Sequence, residues 1–186
     1  MEKMTVVHSG DPTTKVLAQL YEQQGDVFMI TENNTNAEVT HAVKACEKIM
    51  MLGHGNMYGL FSTRNKRGDF ERLLINGRHA EFLRNKICIG IWCHANEFAK
   101  KYGLHGLFSG MIISELSEAE EYGIVATKEE IEYEMEMFTK RLKYCLDKYE
   151  LKDIPKIIPV LNDTHSNLTV FNYNNLYYYD LEIHEI

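Results

Sequence analysis

No apolar stretch among the 186 residues is long enough to span a bilayer, so a membrane partner is not expected. Cysteines are few: Cys46, Cys88, Cys93 and Cys145 fall inside predicted helices or at strands, with no spacing that suggests a disulfide framework. That pattern fits a reducing, cytoplasmic setting, in which the three glycosylation sequons at Asn33, Asn162 and Asn167 stay idle. The N-terminal stretch MEKMTVVHSGD has no apolar signal core, so export is not indicated. Cationic charge is in deficit, with 20 Lys and Arg against 27 Asp and Glu and a net charge of −7, which argues against a polyanion-binding surface. A G-x-G-x-x-G fingerprint is missing, since HSGDPTT after the first strand does not supply it, and with it any implied dinucleotide cofactor. C-x-x-C and H-E-x-x-H pairs are missing as well, which leaves a zinc site built from Cys93, His54 and His94 as a minor alternative. No low-complexity linker divides the chain, so residues 1–186 read as a single domain.

What is present is an alternation of short apolar strands and amphipathic helices. Strands are predicted at Thr5–His8, Val27–Thr31, Ile49–Gly53, Ile87–Trp92, Leu107–Ser114 and Ile157–Leu161. Asp11-Pro12 opens a helix that runs to about Gly25. Thr35 with Glu38, and Thr127 with Glu130, form capping boxes for two more. The second of these is long, with Ile131, Met135, Phe138, Leu142, Cys145 and Tyr149 on one face. A short helix at Glu97–Tyr102 stops at Gly103. Strands that are apolar throughout are buried on both faces, so the expected fold is α/β, a three-layer sandwich around a mainly parallel sheet of about six strands. Residues 56–76 read as a hairpin insertion, and the Tyr-rich tail from Leu168 to Ile186 as edge strands. Tyr residues there suggest base stacking at first sight, but Asp180, Glu182 and Glu185 argue against a nucleic-acid groove.

In such sheets ligands bind beyond the carboxyl ends of the strands. The third strand delivers Gly53-His54-Gly55 there, and the fourth delivers Cys93-His94. Neighbouring strands lie about 5 Å apart, so an imidazole and a thiol would meet at the mouth of the sheet. The pairing has a chemical use. Histidine takes the thiol proton and later returns one to a leaving amine. A helix starting after Cys93 favours the thiolate through its dipole, and the N–H groups of Gly55 and Cys93 are candidates to hold an oxyanion. Gly55 also lets a substrate backbone come close. Arg64 and Arg67, in the insertion, are candidates for binding an acidic substrate side chain.

An apolar strand ending in His-Gly, followed by an apolar strand ending in Cys, resembles the caspase-like cysteine peptidases. That group includes caspases, metacaspases, legumain, gingipain, clostripain, separase and bacterial CHAT domains. The family places its histidine after the third core strand and its cysteine after the fourth, positions that His54 and Cys93 occupy here. The resemblance implies caspase-like topology, a His54–Cys93 dyad, acyl transfer on peptide or protein substrates, and no cofactor. It is nearer the broad group than caspases proper. Ile91-Trp92 precede the cysteine where caspases carry Gln-Ala, and the dyad is closer in sequence than the roughly 50 positions seen there. A requirement for aspartate before the scissile bond is therefore not expected. The rival expectation is a catalytically inactive relative, serving as an interaction or regulatory module. Either form is compatible with a homo-oligomer or a larger assembly.

Overall fold

The structure is a computed structural model, and it describes residues 4–181. Its strands and helices, in chain order, are β1 (Met4–His8), β2 (Val27–Ile30), α1 (Asn36–Ala45), β3 (Lys48–Leu52), β4 (Gly55–Asn56), β5 (Gly59–Phe61), β6 (Leu73–Asn76), α2 (Ala80–Leu83), β7 (Ile87–Ile91), α3 (Ala95–Tyr102), β8 (His105–Ser109), α4 (Leu116–Glu121), α5 (Lys128–Lys148), α6 (Ile154–Ile157), α7 (Asn167–Tyr173) and β9 (Leu176–Tyr179). The main sheet has the order β2-β1-β3-β7-β8-β9. All its pairings are parallel except that of β9, which runs antiparallel along β8. Strands β4, β5 and β6 form a separate three-stranded antiparallel sheet in the insertion after the third strand, one strand more than the hairpin expected there. No helix among the described residues is long and apolar enough to cross a membrane.

Side-chain alternation along the strands builds the three layers. In β3, Ile49 and Met51 face one apolar cluster while Met50 and Leu52 face the other. The neighbouring β7 repeats this, with Cys88 to one side and Ile89 and Ile91 to the other. The first cluster is roofed by residues of α1, α2 and α3, such as Val43, Leu83 and Phe98. The second is roofed by Leu17 and Leu20 of a 3-10 helix (Pro12–Leu20), by Phe138 and Leu142 of α5, and by Tyr173 of α7. The single tryptophan, Trp92, is buried in the first cluster at the end of β7. Both capping boxes form as expected, Thr35 with Glu38 and Thr127 with Glu130.

Three sequence expectations are corrected. Ile157–Leu161 is not a strand. It lies in two short helical segments, α6 and a 3-10 turn (Ile158–Leu161), opened by Pro155 and Pro159. Proline is pre-set for a first helical turn and cannot donate to a central ladder, so Pro159 itself argued against a strand. The fifth strand ends at Ser109 instead of Ser114. Beyond it the backbone bonds elsewhere: Gly110 N–H donates to Asn175 O, and the buried Asn172 amide pairs with both the N–H and the C=O of Ile113. Within the tail, Asn167–Tyr173 is helical, capped by Ser166, and among the described residues only Leu176–Tyr179 is an edge strand. Residues 182–186 of that tail lie outside the described residues.

One buried acid sets a pH dependence. Glu134 is 3% exposed, and its Oε1 has no hydrogen-bond partner. Burial raises its pKa to about 7, against a partial offset from Arg141 and Tyr173. A folded pKa above the ordinary 4.5 means this group contributes stability below pH 4.5 that is lost as pH rises to 7. Glu134→Gln is therefore expected to stabilise the fold by about 2 kcal/mol at pH 8 and not at pH 4, read from urea midpoints.

Candidate active site

His54 and Cys93 follow adjacent parallel strands. β3 and β7 run in register, Leu52 beside Ile91, and Gly53 N–H donates to Ile91 O. The two side chains border one small cavity of about 20 Å³, room for about one water molecule, closed by Leu17, Ile112 and Met135. No hydrogen bond joins the imidazole to the thiol among the described residues; each has other partners.

The imidazole is held from three sides. Its Nε2 lies 2.6 Å from Thr13 Oγ1, and that hydroxyl donates to Asp11 Oδ1 at 2.8 Å. A hydroxyl proton committed to Asp11 leaves the Thr13 oxygen to accept, which assigns the histidine proton to Nε2 and a lone pair to Nδ1. Glu115 Oε1 approaches Nε2 at 3.5 Å and also takes Arg64 Nη2 at 2.7 Å. Phe70 packs obliquely on the ring at 5.5 Å and stacks in turn on Phe61. Burial pushes the His54 pKa down; Glu115 and Asp11 pull it up, Arg64 opposes them, and the net direction is downward. The net balance thus favours the neutral ring over the imidazolium. For Asp11, burial works against the charge, but the Thr13 bonds together with His54 and Arg64 hold its carboxyl below the usual range.

The thiol has a different environment. Cys93 is half-buried, and its Sγ donates to Ile112 O at 3.5 Å and to Glu118 Oε1 at 3.7 Å. The other oxygen of Glu118 accepts from Ser114 N, Ser114 Oγ and Glu115 N. One carboxylate thus caps the N-terminus of α4 and sits on the thiol. Burial, then the Glu118 charge, push the thiol up to about 12. The N-terminus of α3 does begin just after Cys93, yet the thiol pKa is raised and not lowered. The turn between them is strained: His94 has φ 66°, and its Nδ1 bonds Glu97 instead of reaching the thiol. Cys93, His54 and His94 are therefore not gathered as ligands of one ion.

The oxyanion candidates are placed as follows. Trp92 N–H is taken by Ser109 Oγ and His94 N–H by Gly110 O, while neither bond uses the Cys93 N–H between them. Phe61 N–H donates to His54 O, so the antiparallel alternation puts Gly55, opposite Leu60, in a non-hydrogen-bonded pair that leaves its N–H out of the ladder. The side of Gly55 that a side chain would fill is not open to substrate: a Cβ there would meet Trp92 Cδ1 at 2.2 Å and Gly59 O at 2.5 Å. Arg64 is in the site through Glu115. Arg67 is not brought there; it is exposed on the Asn65–Asp69 turn.

Sequence reasoning missed Asp11, Thr13, Glu115 and Glu118. Asp11 follows β1, which pairs with β3, so the strand-end rule that finds His54 reaches it too. Glu118 shows in sequence only as an acid in a polar helix.

The buried thiols give an alkaline limit to stability. Burial raises Cys88 and Cys93 to about 12 and Cys145 to about 11, from an ordinary 9.0. The stabilisation is fully present below pH 9 and lost as pH rises toward 12. Urea midpoints are expected to fall by the equivalent of about 2 kcal/mol or more between pH 9 and pH 11. Compared with known proteins, the chain matches no protein-family model and no curated sequence.

Proposed function

We propose that this chain is a cysteine endopeptidase-like enzyme of caspase-like topology, acting on peptide or protein substrates through His54 and Cys93. The observation that carries this reading is the shared cavity: a neutral imidazole and a thiol, delivered by the third and fourth strands of the main sheet, border the same space at its carboxyl end. In the reaction the thiol proton passes to His54 Nδ1, and Sγ bonds the substrate carbonyl carbon. The carbonyl oxygen takes up negative charge beside the N–H groups of Cys93 and Gly55. Collapse of that intermediate breaks the C–N bond, and the amine leaves with the proton from His54. Water, deprotonated by the same imidazole, then hydrolyses the thioester and frees the thiol. Asp11 and Thr13 position the ring and fix its tautomer.

In the resting arrangement burial and the Glu118 charge together hold the thiol protonated, so the proton transfer is favoured when this carboxylate withdraws or is neutralised. The same contact favours a second reading, an inactive relative whose thiol is simply a buried donor. Peptidyl acyloxymethyl ketones, which alkylate a thiolate after binding as substrates do, separate the two. The enzyme reading expects labelling of Cys93 in the wild type and a loss of at least 100-fold in rate for His54→Ala, the low end of general-base contributions. Labelling that is equally fast without the imidazole assigns the chain to the inactive class.

A further inference from the structure

We propose that the primary specificity pocket is the cavity of about 490 Å³ next to His54, and that it takes a large apolar side chain from the residue preceding the scissile bond. This rests on the peptidase reading above. The cavity lies between the 3-10 helix Pro12–Leu20, the start of α4 and the first turns of α5. Its apolar lining includes Val16, Leu116, Ile131 and Met135, with hydroxyl and charged side chains making up the rest. Its size falls in the ordinary range for ligand sites, roughly 300–1,000 Å³.

Continuity with the dyad is direct. Ser114 and Met135 border both this cavity and the small space that holds Cys93 and His54. Thr13 borders it as well, and its hydroxyl touches the imidazole at 2.6 Å. An acyl group attached to Sγ therefore finds this recess as the near place for its first side chain.

Charge decides what that side chain is. Of the ionic groups on the cavity wall, Glu115 Oε1 is matched to Arg64 at 2.7 Å, while Lys128 and Glu132 are a solvent-exposed pair 3.5 Å apart. Arg67, the other cation expected to read an acidic residue, stands away on its exposed turn. An aspartate or arginine side chain placed among Val16, Leu116, Ile131 and Met135 would be desolvated with only a solvent-screened Lys128–Glu132 pair to answer its charge, which is disfavoured. A leucine, methionine or phenylalanine side chain loses only water.

The test is a panel of peptidyl acyloxymethyl ketones that differ only in the residue next to the reactive carbonyl, with Cys93 labelling followed by intact mass on the full chain. Leu, Met and Phe probes are expected to react at least tenfold faster than Ala, Asp and Arg probes. Val16→Trp, which fills the recess, is expected to erase the advantage of Leu and Phe over Ala. Fastest labelling by the Asp or Arg probe overturns the pocket and leaves the peptidase reading standing. An unchanged Leu preference in a Val16→Trp protein that melts like the wild type also overturns it. Failure of every peptide probe to label Cys93 overturns both.

Discussion

Cys93→Ala is expected to abolish covalent labelling and turnover while melting within about 2 °C of the wild type, whereas Cys88→Ala keeps its labelling and melts about 3–6 °C lower. The two cysteines are five residues apart on one strand and its end, yet their surroundings differ. Cys88 is fully buried in the apolar cluster roofed by α1, α2 and α3, with its Sγ against Leu83 O and Lys86 O. Removing that sulfur leaves a void that the packed sheet and helices cannot close, at a cost of about 1–2 kcal/mol. Cys93 borders a space of about 20 Å³ at the rim of the sheet, and its loss removes two weak thiol bonds. The cavity it adds is small, so the stability cost is below about 1 kcal/mol. Thermal melts and probe labelling of both variants check this. Labelling lost in Cys88→Ala and kept in Cys93→Ala would move the nucleophile to the strand interior.

The positions of His54 and Cys93 were legible because each ends an uninterrupted apolar strand, and a polar side chain at a strand end can only face the mouth of the sheet. The layer architecture was legible for the same reason: the runs Ile49–Leu52 and Cys88–Ile91 are too apolar to expose either face, and all eight residues are buried. The segments from Gly110 to Ile113 and from Asn167 to Tyr173 were not. The Gly110–Ile113 backbone is held by the Asn172 side-chain amide and the Asn175 main-chain carbonyl, which are tertiary contacts, while Asn167–Tyr173 is opened by a Ser166 cap from a residue that also reads locally as a turn former. Glu115 and Glu118 stayed hidden for a related reason. A glutamate in the first turn of a helix has the same local signature whether it faces solvent or folds back onto a thiol from another strand. Only the path of the chain after β8 distinguishes the two cases.

Glu118→Gln is expected to raise the rate of Cys93 labelling at pH 7.5 by about tenfold or more, and to move the pH of half-maximal labelling downward. Burial and the Glu118 charge are the two largest causes that hold the thiol near 12. Glutamine keeps the length and shape of the side chain. Its carbonyl oxygen can still accept from Ser114 and Glu115, which fixes the amide so that its NH2 faces the sulfur. A carboxylate that repels a thiolate is then replaced by a donor that stabilises one. Each unit by which the thiol pKa falls gives tenfold more thiolate at any pH below it, and labelling follows the thiolate. The burial contribution is untouched, so the pKa stays above its ordinary value and the rate still climbs through pH 9. Glu118→Ala removes the charge along with the cap of α4 and carries a stability cost of about 1 kcal/mol, which separates the electrostatic effect from the structural one. A labelling rate that is unchanged or lower in Glu118→Gln, with the melting temperature preserved, would show that this carboxylate does not restrain the thiol.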